Sequence, residues 1–260
     1  MNLLIEPRPR YFSSSDDRNC GAASLIEYLA ETGSTNTDLA DRLVSGTHVP
    51  EGAWLVADRQ VSGRGRHGRE WFDGAGNFMG STVVHLASSD PPAPTLALLA
   101  GLALYEVCAN LVPDPAALSL KWPNDLLIGR AKLAGILLER QGQSVIVGIG
   151  VNLAAAPPIE GRETISLAKL GPAPDRNRFA ELLQHQFAIE LERWRSFGLD
   201  PALKRWQIAA HTIGTALTVR DDGARAIGGT FDGLAEDGSL LLRLADGTIR
   251  AIHAGDVMLG

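Results

Sequence analysis

Apolar positions along this chain recur in two rhythms. Ser144–Asn152 carries a near-continuous apolar run (Val145, Ile146, Val147, Ile149, Val151) and predicts a strand buried on both faces. Leu25–Leu29, Ala53–Ala57, Asn77–Leu86, Leu118–Trp122 and Lys132–Arg140 read as further strands, the last two flanking an Asn124-Asp125 turn. Helical spacing appears between them. Ser34 or Thr35 caps a helix running towards Leu43, and Thr95–Leu111 reads as a buried helix. In Arg178–Trp194 the residues Phe179, Leu182, Leu183, Phe187, Leu191 and Trp194 fall three and four apart and form one apolar face for core packing. Pro201 opens a last helix towards Ala210. Many strands with few long helices predict an α+β fold, a mixed sheet packed by helices.

The texture changes at both ends. Residues before about Ser24 are polar and irregular and read as a loose arm. After Ile213, short β runs alternate with Asp222-Gly223, Asp237-Gly238 and Asp246-Gly247 turns, the pattern of hairpins in a small barrel. The expected division is 1–213 for a larger domain and 214–260 for a smaller one.

Composition narrows the function classes. The chain has 260 residues, 45% hydrophobic and 21% charged, enough for a sizeable core. Its net charge of −6 argues against a general nucleic-acid binder. Two cysteines, Cys20 and Cys108, lack metal-ligand spacing and imply no disulfide framework, so a reducing cytoplasm is expected. Met1–Ile5 is apolar but is stopped by Glu6, Pro7 and Arg8, so no signal peptide is expected. The most apolar stretch, Leu96–Val112, carries Glu106 and Asn110 and falls short of the ~18 residues of a membrane span.

Against the negative net charge, one loop is strongly cationic. Arg59, Arg64, Arg66 and Arg69 crowd a stretch containing Gly63, Gly65 and Gly68 and closed by Trp71. Glycines let backbone N–H groups converge on an anion, and guanidinium forks bind phosphate or carboxylate bidentately. Trp71 offers a flat face for a purine. The glycines match G-x-G-x-x-G, but no helix opens on them and no acid follows at the required distance, which disfavours a dinucleotide fold. A solvated arginine-rich turn would explain this loop if it stood alone.

Three further segments shift the balance. In Lys121-Trp122-Pro123-Asn124-Asp125, Pro123 fixes the turn, and the polar pair at a strand end suits ribose, phosphate or a metal ion. Lys132 and Gly135 follow: Lys132 starts the next strand and returns its ammonium to the same mouth, while Gly135 admits a flat ligand. Gly33-Ser34-Thr35-Asn36 places three small hydrogen-bonding residues at a helix start. Gly150-Val151-Asn152 ends a buried strand in an amide able to read a base edge.

In this order, the strings S-T-N (34–36), G-R-G-R-x-G-R-x-W (63–71), K-W-P-N-D (121–125), K-L-A-G-I-L (132–137) and G-V-N (150–152) resemble the biotin protein ligases. The resemblance spans residues 25–260 and departs in detail at Ser62, at His67 and at Phe78-Met79-Gly80. It implies a catalytic domain like that of class II aminoacyl-tRNA synthetases, with an SH3-like C-terminal barrel. It also implies activation of biotin by ATP and Mg²⁺ to biotinyl-5′-AMP, then transfer to a lysine of a biotin carboxyl carrier protein. Residue by residue, it assigns Ser34, Thr35, Asn36 and Gln60 to the ureido ring. Gly63, Gly65 and Gly135 would line the biotin and adenylate path with close backbone contact. Arg64 and Lys132 would grip carboxylate and α-phosphate, with Arg66 and Arg69 ordering the loop over phosphate. Trp71 would lie near adenine; Asn124, Asp125 and Asn152 would position nucleotide, Asp125 being a candidate Mg²⁺ ligand. The resemblance further implies a monofunctional enzyme without a DNA-binding domain, since little sequence precedes Ser34, and a homodimer formed through the sheet. Rival expectations are a lipoate–protein ligase using the same adenylate chemistry, a nucleic-acid-binding module, and a non-enzymatic binder of biotin.

Overall fold

The computed structural model describes residues 25–220 and 226–260. The expected N-terminal arm and the Asp222-Gly223 turn lie outside the described residues.

Seven strands form the main sheet: β1 (Ile26–Leu29), β2 (Trp54–Ala57), β3 (Phe78–His85), β4 (Leu118–Lys121), β5 (Asp125–Ile128), β6 (Ala131–Gln141) and β7 (Ser144–Val151). Their order is β1-β2-β3-β7-β6-β5-β4. The β1–β2 pair is parallel and the remaining pairs are antiparallel, which makes the sheet mixed as expected.

Register decides which residues can form a site. On the central strand β7, Gly148 faces Ser81 and Leu137, and Gly150 faces Met79 and Gly135. Directly paired residues point to the same side of a sheet. One face of β7 therefore carries Gly148 and Gly150, and the other carries Val147, Ile149 and Val151. The second set joins the main core with α2 (Leu96–Ala109), α3 (Arg176–Phe197) and α4 (Asp200–Ala209). The glycine face is partly covered by α1 (Thr35–Val44), where Leu39 packs with Leu55, Val83 and Ile146.

Three boundaries differ from expectation for identifiable reasons. The Asn124-Asp125 turn is shorter than predicted: Asp125 opens the strand β5, paired with Lys121 and Gly135. Buried Leu126 and Leu127 hold this strand, and Gly129 at φ 58° turns the chain into β6. A four-residue strand is too short to display a period, so the turn formers beside it dominated the reading. Helix α3 starts at Arg176 because Asp175 accepts a hydrogen bond from the Arg178 N–H at 2.8 Å. Helix α2 spans 14 residues and is apolar almost all round, because it lies between the sheet and α3 and α4. No helix among the described residues is long and apolar enough to cross a membrane.

A second, antiparallel sheet follows: β8 (Ala216–Arg220), β9 (Ile227–Leu234), β10 (Leu240–Arg243), β11 (Ile249–Ile252) and β12 (Asp256–Leu259), ordered β11-β10-β9-β8-β12. Its turns at Gly238 and Gly247 have φ 85°, as the Asp-Gly pairs predict. It is joined to the main sheet. Leu217, Phe231, Leu240 and Val257 belong to the same apolar core, and the Trp122 indole donates to the Gly238 carbonyl at 3.0 Å.

His211, just after α4, lies in that junction, and its Nε2 has no hydrogen-bond partner. Burial, helped by Lys121 and Arg130, pushes its pKa from 6.5 down to about 4. Above pH ~6.5 the imidazole is neutral folded and unfolded, so it adds no pH dependence. Below that, only the unfolded chain takes up the proton, and stability falls as pH drops towards 4. Between pH ~7 and ~5, His211→Gln should therefore lose less melting temperature than the unmodified protein. Equal losses in both would contradict the assignment.

Candidate active site

The cationic loop folds into a flap. Trp71 N–H donates to the Gly63 carbonyl at 2.9 Å, and Gly65 N–H to the Arg69 carbonyl at 2.7 Å. The tip turns at His67 and Gly68, both left-handed at φ 56° and 69°. Such a conformation is unusual for a residue with a side chain and needs support from its surroundings.

Beneath the flap lies a cavity of about 470 Å³ on the glycine face of the sheet. Ser34, Thr35, Asn36, Gln60, Arg64, Gly65, Arg66, Arg69, Trp71, Asn124, Asp125, Lys132 and Gly135 all line it, so four separated sequence motifs converge. Gly63 and Asn152 line a second cavity, of about 730 Å³. Gln60, Arg64, Arg69, Trp71 and Lys132 border both. The site is thus two chambers with cations and an indole at their junction.

The glycines of the floor admit protein groups. A Cβ at Gly148 would collide with the Asn36 amide, and one at Gly150 with the Trp71 indole. A Cβ at Gly135 would sit 2.9 Å from Lys132 Nζ and 3.0 Å from the Trp71 ring. The flat group that the sequence places over Gly135 is, in this structure, Trp71 itself.

The first chamber ends in a continuous polar chain. Gln60 Oε1 accepts from the Thr35 N–H at 2.8 Å and from its hydroxyl at 3.1 Å. Thr35 Oγ1 lies 2.6 Å from Ser81 Oγ, which donates to Asn36 Oδ1 at 2.6 Å. The Asn36 amide donates to Glu139 at 2.6 Å, and Glu139 accepts from Arg64 at 3.2 Å. Ser34 occupies the N-cap of α1 and is buried, yet its side chain makes no capping bond. Ser34 is one of the residues lining the cavity.

Asp125 is the anchor at the other end. Its Oδ1 lies 2.6 Å from Lys132 Nζ and its Oδ2 2.8 Å from Lys121 Nζ. Burial pushes this carboxyl up, but the two ammoniums outweigh it and hold its pKa well below the usual carboxylate value. Burial pulls Lys132 below the ordinary lysine value, and Asp125 works against that shift. Lys132 Nζ also stands 5.5 Å from the centroid of the Trp71 ring. The Asn124 amide donates to the Ile136 carbonyl at 2.7 Å and accepts from Arg66 at 3.2 Å. Asn152 is buried with its Oδ1 unpartnered, and Trp71 Nε1 is likewise unpartnered.

Several lining residues carry no role in the sequence reading. Lys121 was visible within K-W-P-N-D. Ser81, Arg162 and Asp256, and Glu139, which ties Asn36 to Arg64, lack any local signal: strand register brings Ser81 and Glu139, the docking of the second sheet brings Asp256, and the segment after β7 brings Arg162.

Comparison with known proteins identifies the family. The chain belongs to the biotin/lipoate A/B protein ligase family, whose model matches residues 28–153. A second match, to the biotin protein ligase C-terminal domain over residues 212–260, places it on the biotin side of that family. The chain is 37% identical over 243 residues to a biotin–[acetyl-CoA-carboxylase] ligase of Paracoccus denitrificans, covering 89% of this chain and 99% of that protein. It is 36% identical over 253 residues to the Mycobacterium tuberculosis ligase of the same name, covering 93% and 92%. Among solved structures, the biotin protein ligase from Aquifex aeolicus in complex with biotin and ATP superposes with a TM-score of 0.79 at 27% identity, covering 90% of this chain and 98% of that one.

Replacing Asp125 by Ala would leave two buried ammoniums facing each other. Urea unfolding should show a loss of about 3–5 kcal/mol. A loss below about 1 kcal/mol would mean that Asp125 is not the electrostatic anchor.

Proposed function

We propose that this protein is an ATP-dependent biotin protein ligase. It activates biotin to biotinyl-5′-AMP with release of pyrophosphate, then passes the biotinyl group to a lysine of a biotin carboxyl carrier protein. The observation that carries this reading is the junction: Arg64 on the flap and Lys132 on the sheet border both chambers.

Biotin takes the first chamber. A ureido ring is flat, neutral and rich in donors and acceptors. It suits the Gln60–Thr35–Ser81–Asn36 chain and the free Ser34 hydroxyl over a glycine floor. The nucleotide takes the second. The unpartnered Asn152 oxygen is placed to accept from an adenine amine, and the Trp71 indole offers a stacking face. A buried polar atom without a partner costs stability unless a ligand supplies one.

The chemistry follows from charge. A carboxylate oxygen of biotin attacks the α-phosphorus, and the bond to pyrophosphate breaks. Both reactants are anions, so cations must neutralise them in the same place. Arg64 and Lys132 serve that purpose, and Arg66 and Arg69 hold the flap over the phosphates. The carrier lysine, as its free amine, then attacks the acyl carbon and AMP leaves. A flap closed over the anhydride keeps water from competing with that amine.

Asp125 does not suit a metal ion. Both its oxygens are already held by ammoniums, and no group of three or more metal-ligating side chains occurs among the described residues. Mg²⁺ enters as part of the Mg·ATP substrate, held by phosphate oxygens, as this ion prefers. We place the reaction in the cytoplasm. The partner is a carrier protein and not DNA, in keeping with a net charge of −6. The division into a catalytic domain (1–213) and a C-terminal domain (214–260) is part of the same proposal.

ATP–pyrophosphate exchange tests the first step. It should require biotin and should not respond to lipoate; exchange with lipoate alone would favour the rival ligase. Lys132→Ala should lower the exchange rate on the order of 10²–10³-fold while the melting curve stays cooperative. Normal pyrophosphate exchange in that variant would remove Lys132 from the reaction. Arg64→Ala should release the adenylate faster, and an unchanged dissociation rate would exclude Arg64 from holding it.

A further inference from the structure

Asp256, the first residue of β12 in the C-terminal sheet, stands against the tip of the flap. Its carboxylate pairs with Arg69, lies 3.5 Å from His67 Nε2 and 3.9 Å from Arg66 Nη1. The preceding Gly255 contributes its carbonyl, which accepts from Arg66 Nη2 at 3.2 Å. Gly255 and Asp256, at the start of β12, thus hold Arg66, His67 and Arg69 of the flap. Burial pushes the Asp256 carboxyl up, but Arg69, Arg66 and His67 hold it below its ordinary value, so it stays an anion.

We propose that Asp256 is a positioning residue for the reaction: it latches the flap to the C-terminal sheet and so fixes the guanidiniums of Arg66, which lines the first chamber, and Arg69, which borders both. The proposal rests on the reading given above. The guanidiniums of Arg66 and Arg69 stand three positions apart and repel each other, and the flap tip is bent through a left-handed His67. One carboxylate offsets that repulsion. It cannot neutralise all of it, so positive charge remains to meet a phosphate. Arg66 transmits the hold inward, since its other nitrogen donates to Asn124 Oδ1 at 3.2 Å. Sheet, flap and chamber wall are then one connected unit, and the C-terminal domain acquires a part in catalysis without touching substrate.

The test uses the full chain and Asp256→Asn, which keeps size and hydrogen-bonding capacity but removes the charge. Two readouts separate the latch from the enzyme reading. The first needs no activity: tryptic cleavage after the flap arginines, followed on the free protein. It should rise on the order of tenfold in Asp256→Asn and return towards the original rate in Asp256→Glu. The second is the leak of biotinyl-5′-AMP to AMP without carrier protein, expressed as a ratio to biotin-dependent pyrophosphate exchange. That ratio should rise by a similar factor in Asp256→Asn. Unchanged cleavage would overturn the latch, whatever the protein does. Faster cleavage with an unchanged leak ratio would overturn the positioning role. If Asp256→Asn fails to fold, Asp256→Glu decides: cleavage and leak both equal to those of Asp256→Asn in a heat-trapped partly folded sample would reduce the residue to a scaffold contact, and original values would support the latch. An unmodified protein without pyrophosphate exchange would defeat the enzyme reading alone, leaving cleavage to judge the latch.

Discussion

The site depends on keeping a crowd of cations in place before any substrate anion arrives. Each is given a carboxylate. Asp125 stands between Lys121 and Lys132, Glu139 faces Arg64, and Asp256 faces Arg66 and Arg69. The pairs differ in strength because they differ in burial. Arg64 and Glu139 are half-exposed, and such a pair is worth less than about 1 kcal/mol. A substrate carboxylate can displace Glu139 at little cost. Asp125 is buried between two ammoniums, where removing a partner is far more costly. Arg64 is therefore exchangeable, and Lys132 is fixed. One moving and one stationary charge can close on two reactants without both having to be reorganised.

The second constraint is steric. The V-G-I-G-V run of β7 puts valine and isoleucine on the core face and nothing but hydrogen on the site face. Asn36 and Trp71 lie directly on that bare strip, and Lys132 lies against Gly135, the β6 residue paired with Gly150. A methyl group there would lift each of them from the sheet. The same residues thus satisfy packing on one side and create the chamber on the other. This is why the strand reads as buried throughout yet floors a cavity.

Much of this was legible in the sequence, and the failures have physical causes. The apolar period located the central strands and α3, since Phe179, Phe187 and Trp194 repeat at helical spacing and are all buried. The predicted site residues converge on two adjoining chambers because the start of α1, the flap loop, and strands β5 and β6 all open on the glycine face. β5 was missed because four residues carry no rhythm, and Asn124-Asp125 reads as a turn. Asp125 was assigned to metal or nucleotide; its two oxygens are held by Lys121 and Lys132. Gly135 was read as a landing place for ligand; Trp71 and Lys132 lie against it in this structure. Glu139, Ser81 and Asp256 were invisible. Their importance arises from register and from docking between sheets, which no local pattern encodes.

The central claim is that a flap cation and a sheet ammonium bring two anions together at one junction. A crystal structure with biotin and a non-hydrolysable ATP analogue tests it most directly. The account predicts the biotin carboxylate and the α-phosphate side by side, within hydrogen-bonding distance of Lys132 and Arg64, with Glu139 released from Arg64. Either ligand bound away from that junction, or Arg64 still paired with Glu139 in the ternary complex, would contradict it.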